Sequence, residues 1–239
     1  MVISFDAVSD KVFEAMALES EKYPNVAKYK KGAYYRGGIK TVFLSNTYPV
    51  HTTVSTGRLP KDHDVISNLL PPKKSGERSW AILAKKAMDT NLGMLLESWG
   101  EDTVIVFSDH SQFDINENIN LSALYGNAVF KQCGGSAFLN RDIEGLEKQA
   151  WFERYLTKEE MEESGYADKP VLGIAAKAGF AFSESQYKGN HGYPADYENY
   201  SVFYGVRGKS FITGHEQEWL KNHITDVTAI ITRELDLDM

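Results

Sequence analysis

The stretch "TVIVFSDH", Thr103 to His110, constrains this chain more than any other. Its apolar run, Val104 to Phe107, leaves no polar face, so the strand it forms has to be covered on both sides. Strands of this kind lie in sheets sandwiched between helices. Much of the remaining pattern agrees. Val2 to Phe5 is a second short apolar run, closed by Asp6. Ser9 is placed to cap a helix carrying Val12, Phe13, Met16 and Ala17 on one face, and Pro24 ends it. Lys40 to Leu44 reads as another strand. Ile82, Leu83, Ala87, Leu92, Leu95 and Leu96 mark a long helix ended by Gly100.

Further on, Leu146, Ala150 and Phe152 to Leu156 predict a helix. Thr157 and Glu160 have the spacing of a capping box for a short acidic helix. "PVLGIAAKAGFAF" predicts a hairpin turning at Lys177 to Gly179, and "YSVFYGV" a late strand. A tail helix holds Val227, Ile230, Ile231 and Leu235. Alternating helices and strands predict an α/β fold with a largely parallel sheet and one hairpin. No repeat or linker divides residues 1–239, so one domain is expected.

Composition narrows the function. The net charge of −7 argues against binding a nucleic-acid duplex, which needs clustered Lys and Arg. The single cysteine, Cys133, rules out an internal disulfide framework and fits a reducing compartment. No apolar run approaches the ~20 residues that span a bilayer. The N-terminal "MVISFDAVSD" lacks the basic start and long apolar stretch of a signal peptide. A cytoplasmic protein without membrane attachment is expected.

The candidate chemistry lies where apolar runs end. Val2 to Phe5 ends in Asp6, Val104 to Phe107 leads to Asp109 and His110, and Thr41 to Leu44 leads to Thr47. Ligands of open α/β sheets bind beyond the carboxyl ends of the strands, so these four residues could converge there. Two carboxylates, an imidazole and a hydroxyl suit a Zn²⁺ ion, and such a set also accepts Mn²⁺ or Fe²⁺. Each residue has an ordinary alternative: Asp6 as a turn residue, Asp109 and Thr47 as helix caps. His191, between glycines in "GNHGY", could approach a site closely or be a plain turn histidine. Asp62, His63 and Asp64 alternate in direction along an extended segment and read as a solvated loop. Cys133 has no basic neighbour to make it reactive and reads as packing.

The segments "VISFDAVSD", "NTYPVHTTVSTGRLPKDHDVISN", "VIVFSDHSQFDINENINL", "KQCGGSAFL" and "GNHGYPADYENYSVFYGVRG", in this order, resemble the type I phosphodiesterase/nucleotide pyrophosphatase family of the alkaline phosphatase superfamily. The resemblance implies a three-layer α/β sandwich with a largely parallel central sheet and helices on both faces. It implies a zinc-dependent hydrolase of a small phosphate ester or nucleotide, working by double displacement. Carried over, Thr47 is the nucleophile. Asp6, Asp109 and His110 hold the metal that activates it, and His191 belongs to a second metal. Asn68, in "VISN", matches an asparagine position near the substrate.

One departure stands out. The family takes an Asp and a His for its second metal from a segment before the long helix. Here no Asp or His occurs between Asp64 and Asp89. The resemblance therefore implies an internally shortened member, with a deletion near residues 70–82, one metal held firmly and the second site incomplete. The alternatives are a non-catalytic remnant that binds a metal or phosphorylated ligand without turnover, and a domain that borrows ligands from a partner subunit. Substrate identity and oligomeric state stay open.

Overall fold

The structure is a computed structural model that describes residues 2–30, 33–34, 37–63, 65–67, 89–94, 97–98, 103–166, 170, 172–207 and 223–234. Asn68, the 70–82 region, Asp64, Leu235 and most of the predicted 82–100 helix lie outside this set; residues 89–94 are helical.

The apolar run Val104–Ser108 is the second strand of a four-stranded sheet. It pairs with Val2–Phe5 in parallel and with Tyr204–Arg207 antiparallel; Ala33–Tyr34 closes the far side. All five of its residues are buried, as an apolar run without a polar face requires. Successive side chains go to opposite faces. Val104 and Val106 pack with Phe13, Met16, Val26 and Tyr29 from the helices Asp10–Leu18 and Pro24–Tyr29. Ile105 and Phe107 pack with Val50, Val54, Val227 and Ile230 from the helices Thr47–Thr56 and Thr225–Glu234. The sheet thus has helices on both faces. Burying each such side chain contributes about 1.5–3 kcal/mol. Of its described pairings, however, only the one between Val2–Phe5 and Val104–Ser108 is parallel.

Several local expectations hold. Ser9 Oγ accepts the Val12 amide and caps its helix. Thr157 and Glu160 form the complete capping box. Others need correcting. Lys40 to Leu44 is not a strand: Ile39 and Lys40 make isolated bridges and the chain then runs without a ladder. Side chains take the ladder's place, because Glu163 accepts the Phe43 amide at 2.9 Å and Thr41 donates to the Asp109 carbonyl at 2.6 Å. Phe152 to Tyr155 is a strand rather than a helix, at the edge of an antiparallel sheet with Val129–Cys133, Ser136–Leu139 and Leu172–Ala176. Burial of Trp151 and Phe152 against the Trp151–Phe182 cluster decides this over helical spacing. The turn at Lys177 to Gly179 exists, but its flanks do not form a ladder with each other; Phe180–Phe182 pairs with Glu117–Ile119 instead. No described helix is long and apolar enough to cross a membrane.

Candidate metal centre

Each element delivers one group. Asp6 follows directly on Val2–Phe5, and Ala7 then turns into the left-handed region at φ 57°. That turn points the Ala7 amide at Asp109 Oδ1, 3.2 Å away. The same oxygen accepts the His110 amide at 2.9 Å. Ser108 Oγ accepts the Val8 amide at 2.7 Å and donates to the His110 carbonyl at 2.9 Å, which ties the ends of the two parallel strands together.

Thr47 is the first residue of its helix, so Thr47 itself is not the cap. Asn46 occupies the cap position and makes no side-chain cap bond. The helix is anchored by Val50, Thr53 and Val54 on its buried face. Gly57, at φ 70°, ends it, and Thr228 Oγ1 donates to the Val54 carbonyl at 2.8 Å. The Thr47 hydroxyl is therefore left for the site. Its Oγ1 lies 3.3 Å from His110 Nε2 and 3.5 Å from Asp6 Oδ1.

The four residues expected to converge do so. Ligand atoms of Asp6, Asp109 and His110 all lie within 4.8 Å of one another, the one such group among the described residues. His110 Nε2 is 3.5 Å from Asp6 Oδ1 and 3.4 Å from Asp109 Oδ2. His110 Nδ1 lies 3.1 Å from the Ser111 carbonyl, which only accepts, so the ring proton belongs on Nδ1 and Nε2 presents a lone pair. Asp109 Oδ2 is buried and has no hydrogen-bond partner. Carboxylate oxygens and an imidazole lone pair thus face one another with the Thr47 hydroxyl as the nearby protic group. Such a set is costly unless a cation lies among it, and its O/N donors fit Zn²⁺, Mn²⁺ or Fe²⁺.

Electrostatics agree. Burial, helped by the Asp6 charge, pushes the Asp109 carboxyl up to about 7. Burial holds His110 below the ordinary histidine value. His191 is lowered to about 3, by burial first and by His110 second. His191 stacks on His110, and its Nδ1 lies 2.8 Å from the Ser45 carbonyl, which again leaves Nε2 as the free lone pair.

His191 gains no carboxylate from the two nearest candidates in sequence. Asp196 pairs with Arg154 at 3.0 Å, and Asp114 lies on an exposed strand position opposite Gly189. His63 is held by Thr53 at 3.2 Å, at the end of the short helix Pro60–His63 rather than in a loop. Burial drives the Cys133 thiol up to about 12, in keeping with packing.

A cleft of about 580 Å³ opens beside the centre, with Asn46 and His191 in its wall and Phe130, Lys131, Glu184 and Tyr187 further along. The sequence gave no sign of Asn46, Ser45 or Tyr200 as neighbours of the site. The one available signal was an asparagine directly before the threonine that opens a helix.

Residues 1–83 match the family model described as type I phosphodiesterase/nucleotide pyrophosphatase. No curated protein matches the chain by sequence. Among solved structures, the fold is similar to murine ectonucleotide pyrophosphatase/phosphodiesterase 5, in an inactive threonine-to-alanine variant in complex with AMP. The TM-score is 0.72 at 15% identity, over 99% of this chain and 94% of that one. The murine protein without that substitution gives a TM-score of 0.71 at 15% identity, covering 99% and 95%. Its human counterpart gives 0.70 at 14% identity, covering 99% and 94%.

Proposed function

We propose that this chain, a member of the type I phosphodiesterase/nucleotide pyrophosphatase family, hydrolyses phosphoric esters with Thr47 as its nucleophile. The observation that carries the reading is the orphaned Asp109 Oδ2 beside His110 Nε2, Asp6 Oδ1 and an uncommitted Thr47 hydroxyl. Asp6, Asp109 and His110 would hold a divalent cation, Zn²⁺ by preference. Such an ion lowers the pKa of a coordinated oxygen and screens phosphoryl charge.

The chain's own residues do the rest. The Thr47 hydroxyl, on a helix fixed at both ends, faces the site without a competing cap role. Its proton has a nearby acceptor in Asp6, whose side chain is 72% exposed and exchanges with water. Thr47 Oγ1 attacks phosphorus in line, and the ester oxygen leaves with the bonding pair and takes a proton from solvent. Water then attacks the phosphothreonine, breaks the phosphorus–Oγ1 bond and restores Thr47. The Asn46–His191 cleft would take the organic part of the substrate, a nucleotide or other small phosphate ester.

The same reading treats the chain as shortened near residues 70–82. His191 then lacks the Asp and His partners that would complete a second metal site. Removing one preorganised electrostatic group costs ~3–4 kcal/mol, about 10²–10³ in rate. Slow turnover, fastest with good leaving groups, is expected. The missing pair also favours a second reading, a remnant that binds metal or phosphorylated ligand without turnover. Zinc calorimetry with a bis-p-nitrophenyl phosphate assay separates them: one tight Zn²⁺ with slow, Thr47-dependent hydrolysis supports the enzyme, and binding with no hydrolysis the remnant. Fast turnover with two tight ions would overturn the incomplete-site reading.

A further inference from the structure

We infer that the hydroxyl pair of Ser45 and Tyr200 positions His191, fixing the ring's tautomer and direction from beneath the loop that carries it. The inference rests on the reading above in placing His191 at a phosphoryl-transfer site.

Ser45 and Tyr200 are both fully buried and 155 residues apart, yet their oxygens meet at 2.8 Å. Tyr200 Oη accepts the Gly192 amide at 3.0 Å and the Tyr193 amide at 3.4 Å. Those two bonds use the oxygen's acceptor capacity, so its proton goes to Ser45 Oγ. Ser45 Oγ also accepts the Gly192 amide, at 3.2 Å. One residue thus holds the His191 loop twice: its hydroxyl takes Gly192 and its carbonyl takes His191 Nδ1 at 2.8 Å.

The opposite side of the loop is closed by backbone. Gly135 donates to the His191 carbonyl at 2.8 Å, and Ser136 Oγ donates to the Gly192 carbonyl at 2.7 Å. Gly134 and Gly192 permit this approach, since a Cβ on Gly134 would meet the His191 carbonyl at 2.1 Å and one on Gly192 the Cys133 carbonyl at 2.0 Å. Held between these two sides, His191 can present only Nε2, stacked on His110.

Ser45 lies two residues before Thr47. The segment that carries the proposed nucleophile is therefore the one that orients His191. Tyr200 contributes the single buried proton that locks the two together. Its ring sits among Phe113 and Tyr193, so Tyr200→Phe deletes the hydroxyl and keeps the packing.

The test reads the histidine nitrogens of the metal-free chain by two-bond proton–nitrogen correlation, with His191→Gln used for assignment. In the unaltered protein His191 should show one tautomer, protonated on Nδ1. Tyr200→Phe and Ser45→Ala should shift both nitrogens towards averaged tautomers while unfolding stays cooperative. Their kcat on bis-p-nitrophenyl phosphate should fall ~10–100-fold, the usual effect of an orienting partner. Tyr193→Phe is the structural control: it removes a 2.5 Å bond to the Phe180 carbonyl in the same aromatic cluster and should leave His191 unmoved. A pure Nδ1–H tautomer in folded Tyr200→Phe would overturn the inference. Should Tyr200→Phe unfold, Ser45→Ala decides on the same criterion. A wild-type chain with no turnover would sink the hydrolase reading and leave the nitrogen shifts to decide this one.

Discussion

The imidazole of His191 lies flat on that of His110, with ring centroids 4.1 Å apart and 24° between the planes. Each ring points its Nδ1 at a backbone carbonyl, of Ser45 and of Ser111. Two stacked, buried imidazoles avoid carrying charge together, which agrees with the downward shift of both. Beneath them Asp109 is shifted the other way.

These opposed shifts give a stability prediction for the metal-free chain. His191 falls to about 3 from an ordinary 6.5, so as pH drops below 6.5 the unfolded chain takes a proton that the folded one refuses, and stability falls. His110 acts with the same sign. Asp109 rises from 3.8 to about 7, so between these values the folded chain keeps a proton the unfolded one has lost, and stability falls as pH rises. Asp109 therefore masks part of the histidine effect. Asp109→Asn should steepen the rise of stability between about pH 4.5 and 6 by ~1.4 kcal/mol per pH unit, one proton's worth. Urea titrations at several pH values, with chelator present, check it; parallel curves for the two proteins would refute it.

Close packing of the His191 loop supplies a second prediction. A Cβ on Gly135 would enter the Tyr193 ring at 2.2–2.5 Å, and one on Gly192, at φ 83°, would strike the Cys133 carbonyl. Neither neighbour can step aside: the ring is buried and the carbonyl is backbone. Gly135→Ala and Gly192→Ala should each destabilise the fold by ~1–3 kcal/mol. Gly145→Ala meets nothing within 4 Å. Its φ of 81° still strains the backbone, so its loss should be the smallest of the three. Thermal melts of the three variants rank them.

What the sequence made legible was local. Asp6, Asp109 and His110 each end or directly follow an apolar run, and that rule needs only the run and its last residue. Thr47 was found although the strand expected before it is absent; Phe43 and Thr41 are held by Glu163 and the Asp109 carbonyl, partners far away in sequence. Phe152 to Tyr155 was read as a helix because a short apolar run has no period of its own, and its sheet neighbours decide. Asn68 lies outside the described residues. The Ser45–Tyr200 contact spans most of the chain and leaves no trace in spacing or composition.

Thr47 itself gives a kinetic prediction. It makes no cap bond, and its side chain is not part of the buried helix face. Thr47→Ala should leave the melting temperature within a few degrees of wild type. Its loss should lower kcat on bis-p-nitrophenyl phosphate by at least ~10³-fold, as removal of a nucleophile does elsewhere. Thr47→Ser keeps the hydroxyl and should retain measurable turnover. Equal rates for Thr47→Ala and wild type would show that hydrolysis in this chain bypasses a covalent step.

Metal binding should carry a proton with it. Asp109 Oδ2 is the orphaned atom of the centre, and its carboxyl is held up to about 7 by burial and by Asp6. A cation there replaces the proton, because a carboxylate binds metal only when ionised. His110 is already neutral, so it releases none. Zinc affinity should therefore be flat well above pH 7 and fall about tenfold per unit below it, a slope of one proton. Calorimetry in two buffers of different ionisation enthalpy at pH 6 should report close to one proton released per ion. Asp109→Asn removes that proton and a ligand charge together, so its residual zinc binding should be weak and free of the Asp109 step. Zinc binding that leaves the proton count at zero in the unaltered chain would place the ion away from Asp109.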